Sequence, residues 1–222
     1  MNKRKKYKDP LKILGRSKGY PRSRIIKYLP RHKDFTPHLL RKVKQIPEVA
    51  LRNSGTPLAK RIIHMMREIS KEAYRAKQFT RTQMNNHGVL FGTVLLKHQV
   101  MDLVLKYFHN RWPQCIVCLY NEYTQKTGII KENGKIVKIT KTLENVVKKL
   151  SEQRTEKPYF EDIQFSGDEI FETLYKSQII KERKNPRYFR QMIPKECYKL
   201  PGLRKGIERK IQSQEKNLDE FL

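Results

Sequence analysis

Thr56-Pro57-Leu58-Ala59-Lys60-Arg61-Ile62-Ile63-His64-Met65-Met66-Arg67-Glu68-Ile69-Ser70-Lys71-Glu72-Ala73-Tyr74-Arg75-Ala76-Lys77 reads as one long amphipathic helix. Thr56 can accept the first free backbone N–H groups as an N-cap, and Pro57 suits the first helical turn. Leu58, Ile62, Met65, Met66, Ile69 and Ala73 recur at helical spacing and form an apolar stripe. Arg61, His64, Arg67, Lys71 and Arg75 fall on the opposite side. The methionines belong to the stripe, so they are core residues. A helix with one such stripe needs a second layer to cover it.

The segment after this helix supplies strands. Gln78 to about Val94 reads as a hairpin turned at Asn85-Asn86-His87-Gly88. His98 to Asn110 is a second amphipathic helix, with Val100, Met101, Leu103, Val104 and Phe108 facing inward. Cys115 to Tyr120 is an apolar strand. Gly128-Ile129-Ile130 and Lys135 to Thr140 form a further hairpin turned at Asn133-Gly134. Thr142 to about Arg154 is a charged surface helix, and Glu156 to Gly167 a loop. Asp168 caps a further expected helix containing Ile170, Phe171, Leu174, Tyr175 and Ile179. The expected fold class is therefore α+β: a small antiparallel sheet packed with several helices, over residues 51–202. A polar helical tail follows at 203–222.

Upstream, residues 1–50 are dense in Lys and Arg, with few acids and several prolines. Tyr7, Tyr20, Tyr28 and Phe35 are interleaved. This is the makeup of an extended arm that follows phosphates and offers rings for stacking. The whole chain has 222 residues, with 49 Lys+Arg against 22 Asp+Glu and a net charge of +27. Solubility needs a net charge of only about 2–8, so the excess points to a polyanionic partner. No apolar run approaches the ~20 residues of a membrane span. Met1-Asn2-Lys3-Arg4-Lys5-Lys6 lacks the apolar core of a signal peptide. Three cysteines, an odd number, fit a reducing compartment better than a disulfide framework. The expected location is cytoplasmic, in association with the nucleoid.

Several constellations bear on chemistry. Cys115-Ile116-Val117-Cys118 has half the spacing of a zinc site, but on a strand positions i and i+3 face opposite sides. Only Cys197, His98 and His109 stand as further donors, so no metal is expected. No phosphate-loop or dinucleotide glycine pattern occurs, and no cofactor is expected. Glu72, His98, His109 and Glu182 are the candidates for acid–base catalysis, provided that they converge in one cleft. Candidate phosphate contacts are Lys3, Arg4, Lys5, Lys6, Arg22, Arg24, Arg41, Lys42 and Lys44 in the arm. Arg67, Arg75, Arg81, Arg183 and Arg187 extend them onto the fold. Asn217-Leu218-Asp219-Glu220-Phe221-Leu222 resembles the short acidic-hydrophobic peptides that dock on replication sliding clamps, with Leu218, Phe221 and Leu222 as the anchors.

Between Thr56 and Leu200 the order of features resembles a bacterial domain family of unknown function, described as probable DNA-metabolism proteins. The matching residues are Arg67, Glu72-Ala73-Tyr74-Arg75, Phe79 with Arg81, Gly88-Val89-Leu90-Phe91, His98, Phe108 with Arg111, and the strand near Ile116-Val117. Ile180-Lys181-Glu182-Arg183-Lys184-Asn185-Pro186 and Met192-Ile193-Pro194-Lys195 complete the pattern and are its most specific part. Members of that family typically occur beside a radical-SAM partner or fused to a uracil-DNA glycosylase. The family's His-Asn pair reads His98-Gln99 here, and its Tyr-Trp after Pro-Lys reads Cys197-Tyr198. The resemblance implies a DNA repair or modification setting and supplies no reaction. The leading expectation is a DNA-binding accessory factor, with a repair or modification enzyme as a further partner. The alternatives are an enzyme acting on nucleobases or the DNA backbone, and an RNA-binding structural subunit of a large complex.

Overall fold

The long helix forms as its sequence dictates, and the main core of the described residues gathers on its apolar stripe. The computed structural model describes residues 19–155 and 191–200. In chain order these comprise α1 (Arg22–Tyr28), a 3-10 turn (Leu29–Arg31), α2 (Pro37–Gln45), α3 (Glu48–Asn53) and α4 (Pro57–Phe79). Then follow β1 (Thr82–Met84), β2 (Val89–Val94), α5 (Met101–Arg111), β3 (Ile116–Asn121), β4 (Lys126–Ile130), β5 (Ile136–Ile139) and α6 (Leu143–Glu152). A second 3-10 turn spans Lys195–Lys199. Thr56 caps α4, its hydroxyl oxygen accepting the Ala59 N–H at 3.1 Å. Ile62, Met66, Ile69 and Ala73 are fully buried, with the two methionines of α4 both in the core.

The class is α+β, with one correction to its sheet. The five strands lie in the order β1-β2-β3-β4-β5. The pairs β1–β2, β3–β4 and β4–β5 are antiparallel, but β2 and β3 are parallel from Val89↔Ile116 to Val94↔Asn121. The sheet is mixed because α5 stands between β2 and β3. A helical crossover returns the chain to the same end of the sheet, whereas a tight turn would reverse it.

Helices cover both faces of the sheet. Leu90, Val94, Val117, Leu119 and Ile130 pack with α4 and α5. Val89, Ile116, Cys118 and Ile129 pack with Val146 of α6. Burial on two faces explains why β3 reads as a continuous apolar run. It also separates the cysteines: Cys115 lies in the first cluster and Cys118 in the second, as the strand geometry requires. Burial pushes the Cys118 thiol up to about 12. On β4, α5 comes so close that a Cβ at Gly128 would stand 2.8 Å from the Met101 side chain.

The described part of the expected arm is folded. Ile25, Tyr28 and Leu29, then Leu39, Val43 and Ile46, then Leu51, are buried in the core that α4 organises. Tyr20 is fully buried as well, and Phe35 packs against the same cluster, so these rings are core groups and not stacking platforms. The physical reason is a helical i, i+3, i+4 apolar pattern running beneath the lysines and arginines. The prolines do not break these helices; Pro21, Pro37 and Pro47 begin them, where a missing N–H costs nothing. Lys3, Arg4, Lys5, Lys6 and Tyr7 lie outside the described residues. So do the loop at 156–167, the helix expected after Asp168, Glu182, Arg183, Arg187 and the tail with Leu218, Phe221 and Leu222.

Candidate functional site

Two acids interrupt the cationic side of α4, and both turn toward neighbouring loops. Glu68 Oε2 lies 3.0 Å from His32 Nε2. One turn later, Glu72 accepts the backbone N–H groups of Lys97 and His98, each at 2.8 Å. Residues 68 and 72 share one helix face because they are four apart. They therefore fasten two separate loops, the 31–36 segment and the β2–α5 connection, to the same helix.

The loops are also fastened to each other. Arg31 donates from Nη1 and Nη2 to the two carboxylate oxygens of Asp102, a bidentate pair. Arg31 Nη1 also donates to the Gln99 carbonyl at 2.9 Å, and the Gln99 N–H donates to the Arg31 carbonyl at 2.8 Å. Buried Asn121 holds Leu96 from both sides, accepting its N–H and donating to its carbonyl at 2.9 Å each. The connection carrying His98 is thus fixed at both of its backbone ends.

Between the loops the His32 and His98 rings face each other, with centroids 4.4 Å apart and planes tilted by 36°. Both are almost wholly buried. The Asp34 N–H donates to His32 Nδ1 and the Lys33 N–H to His98 Nδ1, each at 3.1 Å. A nitrogen that accepts a backbone N–H carries no proton itself, so each neutral ring carries its proton on Nε2. His32 directs that proton at Glu68. Burial, then the neighbouring His32, pushes His98 down to about 4. Burial raises the Glu68 carboxyl, but the His32 hydrogen bond together with the charges of His64, His32 and His98 holds it below its ordinary value. Burial raises Glu72 more than its two backbone hydrogen bonds lower it.

The second 3-10 turn borders this cluster. Lys97 Nζ and Glu196 Oε1 are 2.7 Å apart, which raises the lysine and lowers the carboxyl. Ile193, Cys197 and Leu200 pack with Phe79 and Leu95. The Met192-Ile193-Pro194-Lys195 segment therefore meets the end of α4 and the beginning of the His98 loop.

Of the four residues singled out for acid–base work, Glu72 and His98 meet. His109 lies in the last turn of α5, with its buried Nδ1 lacking a partner among the described residues. It is about 12 Å along the helix from Met101, so it does not join them. Glu72 spends both oxygens on backbone N–H groups, which makes it a positioning group for His98. His32 and Glu68 escape a reading by composition, since one sits in a basic stretch and the other on a cationic helix. The signal that finds them is the pair of acids four residues apart on a helix otherwise lined with cations.

The remaining cations are placed as follows. Arg41, Lys44 and Arg67 are exposed; Arg24, Lys42, Arg75 and Arg81 are half-buried. Arg22 Nη2 donates to the Ile46 carbonyl and the Arg22 N–H meets the Glu48 carboxylate, so this arginine joins α1 to the corner between α2 and α3. Arg81 Nη1 donates to the Gln78 carbonyl at 3.1 Å. On α4, Lys60, His64, Arg67 and Lys71 form an exposed stripe at i, i+4, i+7 and i+11, with Arg61 beside it. The stripe spans about 16 Å.

A family profile for a domain of unknown function, DUF4130, matches residues 30–200. The chain belongs to the DUF4130 family. No curated protein and no solved structure matches it. The DUF4130 match begins before His32, so the 31–36 loop, α2 and α3 belong to the family domain, whereas the resemblance legible in the sequence starts at residue 56. All members of the cluster, from His32 through Glu68, Glu72 and His98 to Glu196, fall within it.

Proposed function

We propose that this DUF4130 protein is a DNA-binding accessory factor in DNA repair or modification, held to its target through phosphates. The observation that carries the proposal is the α4 stripe of Lys60, His64, Arg67 and Lys71 on a chain of net charge +27. Two acids lie beside it. Glu68 is engaged by His32 and lies within 3.7 Å of His64, and Glu72 is engaged by the 97–98 backbone. About 16 Å of duplex axis carries roughly ten phosphates, enough for Lys60, Arg67 and Lys71 each to find one. Phosphate contacts position a protein on its target without specifying sequence. DNA is favoured over RNA through the resemblance to DNA-metabolism proteins. Among the described residues no helix is long and apolar enough to cross a membrane.

The test is fluorescence anisotropy of a labelled duplex over a range of salt. Phosphate-led binding gives a linear fall of log K with log salt. Lys60→Ala with Lys71→Ala lowers the slope by about 2. A flat dependence, or a slope unchanged in the double variant, refutes the proposal for this face. Competition with structured RNA separates the DNA reading from a role as an RNA-bound subunit.

A further inference from the structure

We propose that His98 is a fixed, uncharged hydrogen-bond donor to a phosphate oxygen of the bound nucleic acid. This rests on the DNA-binding reading above and assigns one contact within it. The geometry has three parts. The Nδ1 atom is occupied by the Lys33 N–H, which leaves the proton on Nε2. The ring is 8% exposed, and among the described residues no hydrogen bond is made to Nε2, which leaves this nitrogen for a ligand. The loop beneath it is clamped by Glu72, Asn121 and Arg31, which means the donor is placed before any ligand arrives.

Location supports the same assignment. His98 follows β2, at the carboxyl end of the parallel β2–β3 pair. In open α/β sheets, ligands bind outside the carboxyl ends of parallel strands, and the β2–β3 pair with its α5 crossover has that local geometry. Exposed Lys33 and Lys97 flank the ring in the two loops, and α4 with its cationic stripe supplies the carboxylates that hold those loops. The ionisable groups around the imidazole are His32, Lys33 and Asp34 from the first loop and Glu68 and Glu72 from α4. With its pKa at about 4, His98 stays neutral throughout the physiological range. A surface histidine of ordinary pKa would instead lose its hold on phosphate as pH rises through about 6.5.

A neutral donor adds affinity without displacing counterions, and this separates His98 from the lysines experimentally. His98→Asn keeps an acceptor where Nδ1 stood and removes the outer N–H. His98→Gln keeps an outer N–H and removes the acceptor for Lys33. Duplex affinity is measured by anisotropy across salt at pH 6, 7 and 8, and folding by urea melts of the same samples. The expected result is about tenfold weaker binding for His98→Asn, with the salt slope unchanged and the deficit constant over the three pH values. His98→Gln is expected to bind within about twofold of the parent despite a less stable fold. Parent-like binding by His98→Asn overturns the assignment, as does a deficit that shrinks with rising pH. If Lys60→Ala with Lys71→Ala leaves the salt slope untouched, the phosphate-led reading fails first. If that slope falls while His98→Asn binds normally, only the His98 assignment fails.

Discussion

Acidification from pH 7 to pH 5 is expected to weaken the fold through His98. The unfolded imidazole titrates near 6.5, whereas in the folded protein its value is about 4. Between those values the unfolded chain binds the additional proton. Stability is therefore complete above about 6.5 and is lost as pH falls toward about 4. The full shift corresponds to about 3.4 kcal/mol, of which about 2 kcal/mol is lost by pH 5. Solvent screening reduces this, leaving about 1–2 kcal/mol between pH 7 and pH 5. Glu72 acts in the opposite sense, because a carboxyl raised by burial stabilises the fold at low pH and loses that contribution as pH rises through its folded value. Glu68, held below its ordinary value, contributes stability that is present above that value and is lost as pH falls from it through the folded value. Urea melts of the parent and of His98→Asn at the two pH values isolate the histidine, since asparagine does not titrate. The parent should lose about 1–2 kcal/mol more than the variant. Equal losses in both proteins would show that the buried ring contributes no linkage, and the fixed tautomer would fall with it.

Two further outcomes probe the supports of the site. Glu72→Ala leaves the Lys97 and His98 N–H groups without their acceptor and should cost about 2–4 kcal/mol in thermal or urea unfolding, while Glu72→Gln, which retains one carbonyl, should cost about half as much. An unchanged melt for Glu72→Ala would mean that the loop is held by Asn121 and Arg31 alone. Cys118, its thiol pushed up to about 12 by burial in the sheet, should resist a thiol reagent at pH 8 in the native protein and react once urea unfolds it. Rapid native labelling at this residue would contradict the cover that α6 places over β3.

The long helix, both antiparallel hairpins after it and the separation of the two strand cysteines were legible because each depends on a local period. Thr56, Pro57 and the apolar stripe settle α4 without reference to the rest of the chain. The parallel pairing of β2 with β3 was missed for a reason of the same kind. Alternation along a strand says which residues face the core and nothing about the direction of its neighbour. The available cue was α5 itself, since a helix between consecutive strands favours a parallel return. The folded segment from α1 to α3 was obscured by charge. Lysines and arginines dominate its composition, while Ile25, Leu29, Leu39, Val43 and Leu51 decide its structure. Composition reports the solvent side of a helix as strongly as its buried side, so a basic average is compatible with a complete apolar face.

The site was illegible for a different reason: its members are distant in sequence and are joined only by the core. His32 and His98 lie on separate loops, and what brings their rings within 4.4 Å is α4, to which Glu68 and Glu72 bind each loop. One helix thereby serves three purposes by its three faces. Its apolar stripe builds the core, its two acids set the loops, and its cations face outward. The two acids are set by their contacts within the protein. Each is committed to a group of the protein that could not otherwise be satisfied, an imidazole N–H in one case and two backbone N–H groups in the other. Removing either acid would therefore make the surface more basic and yet disorder the donor that faces it. Charge and geometry can thus be varied independently on α4, and a protein that binds by charge alone would gain affinity from Glu72→Gln, whereas one that needs a placed His98 would not.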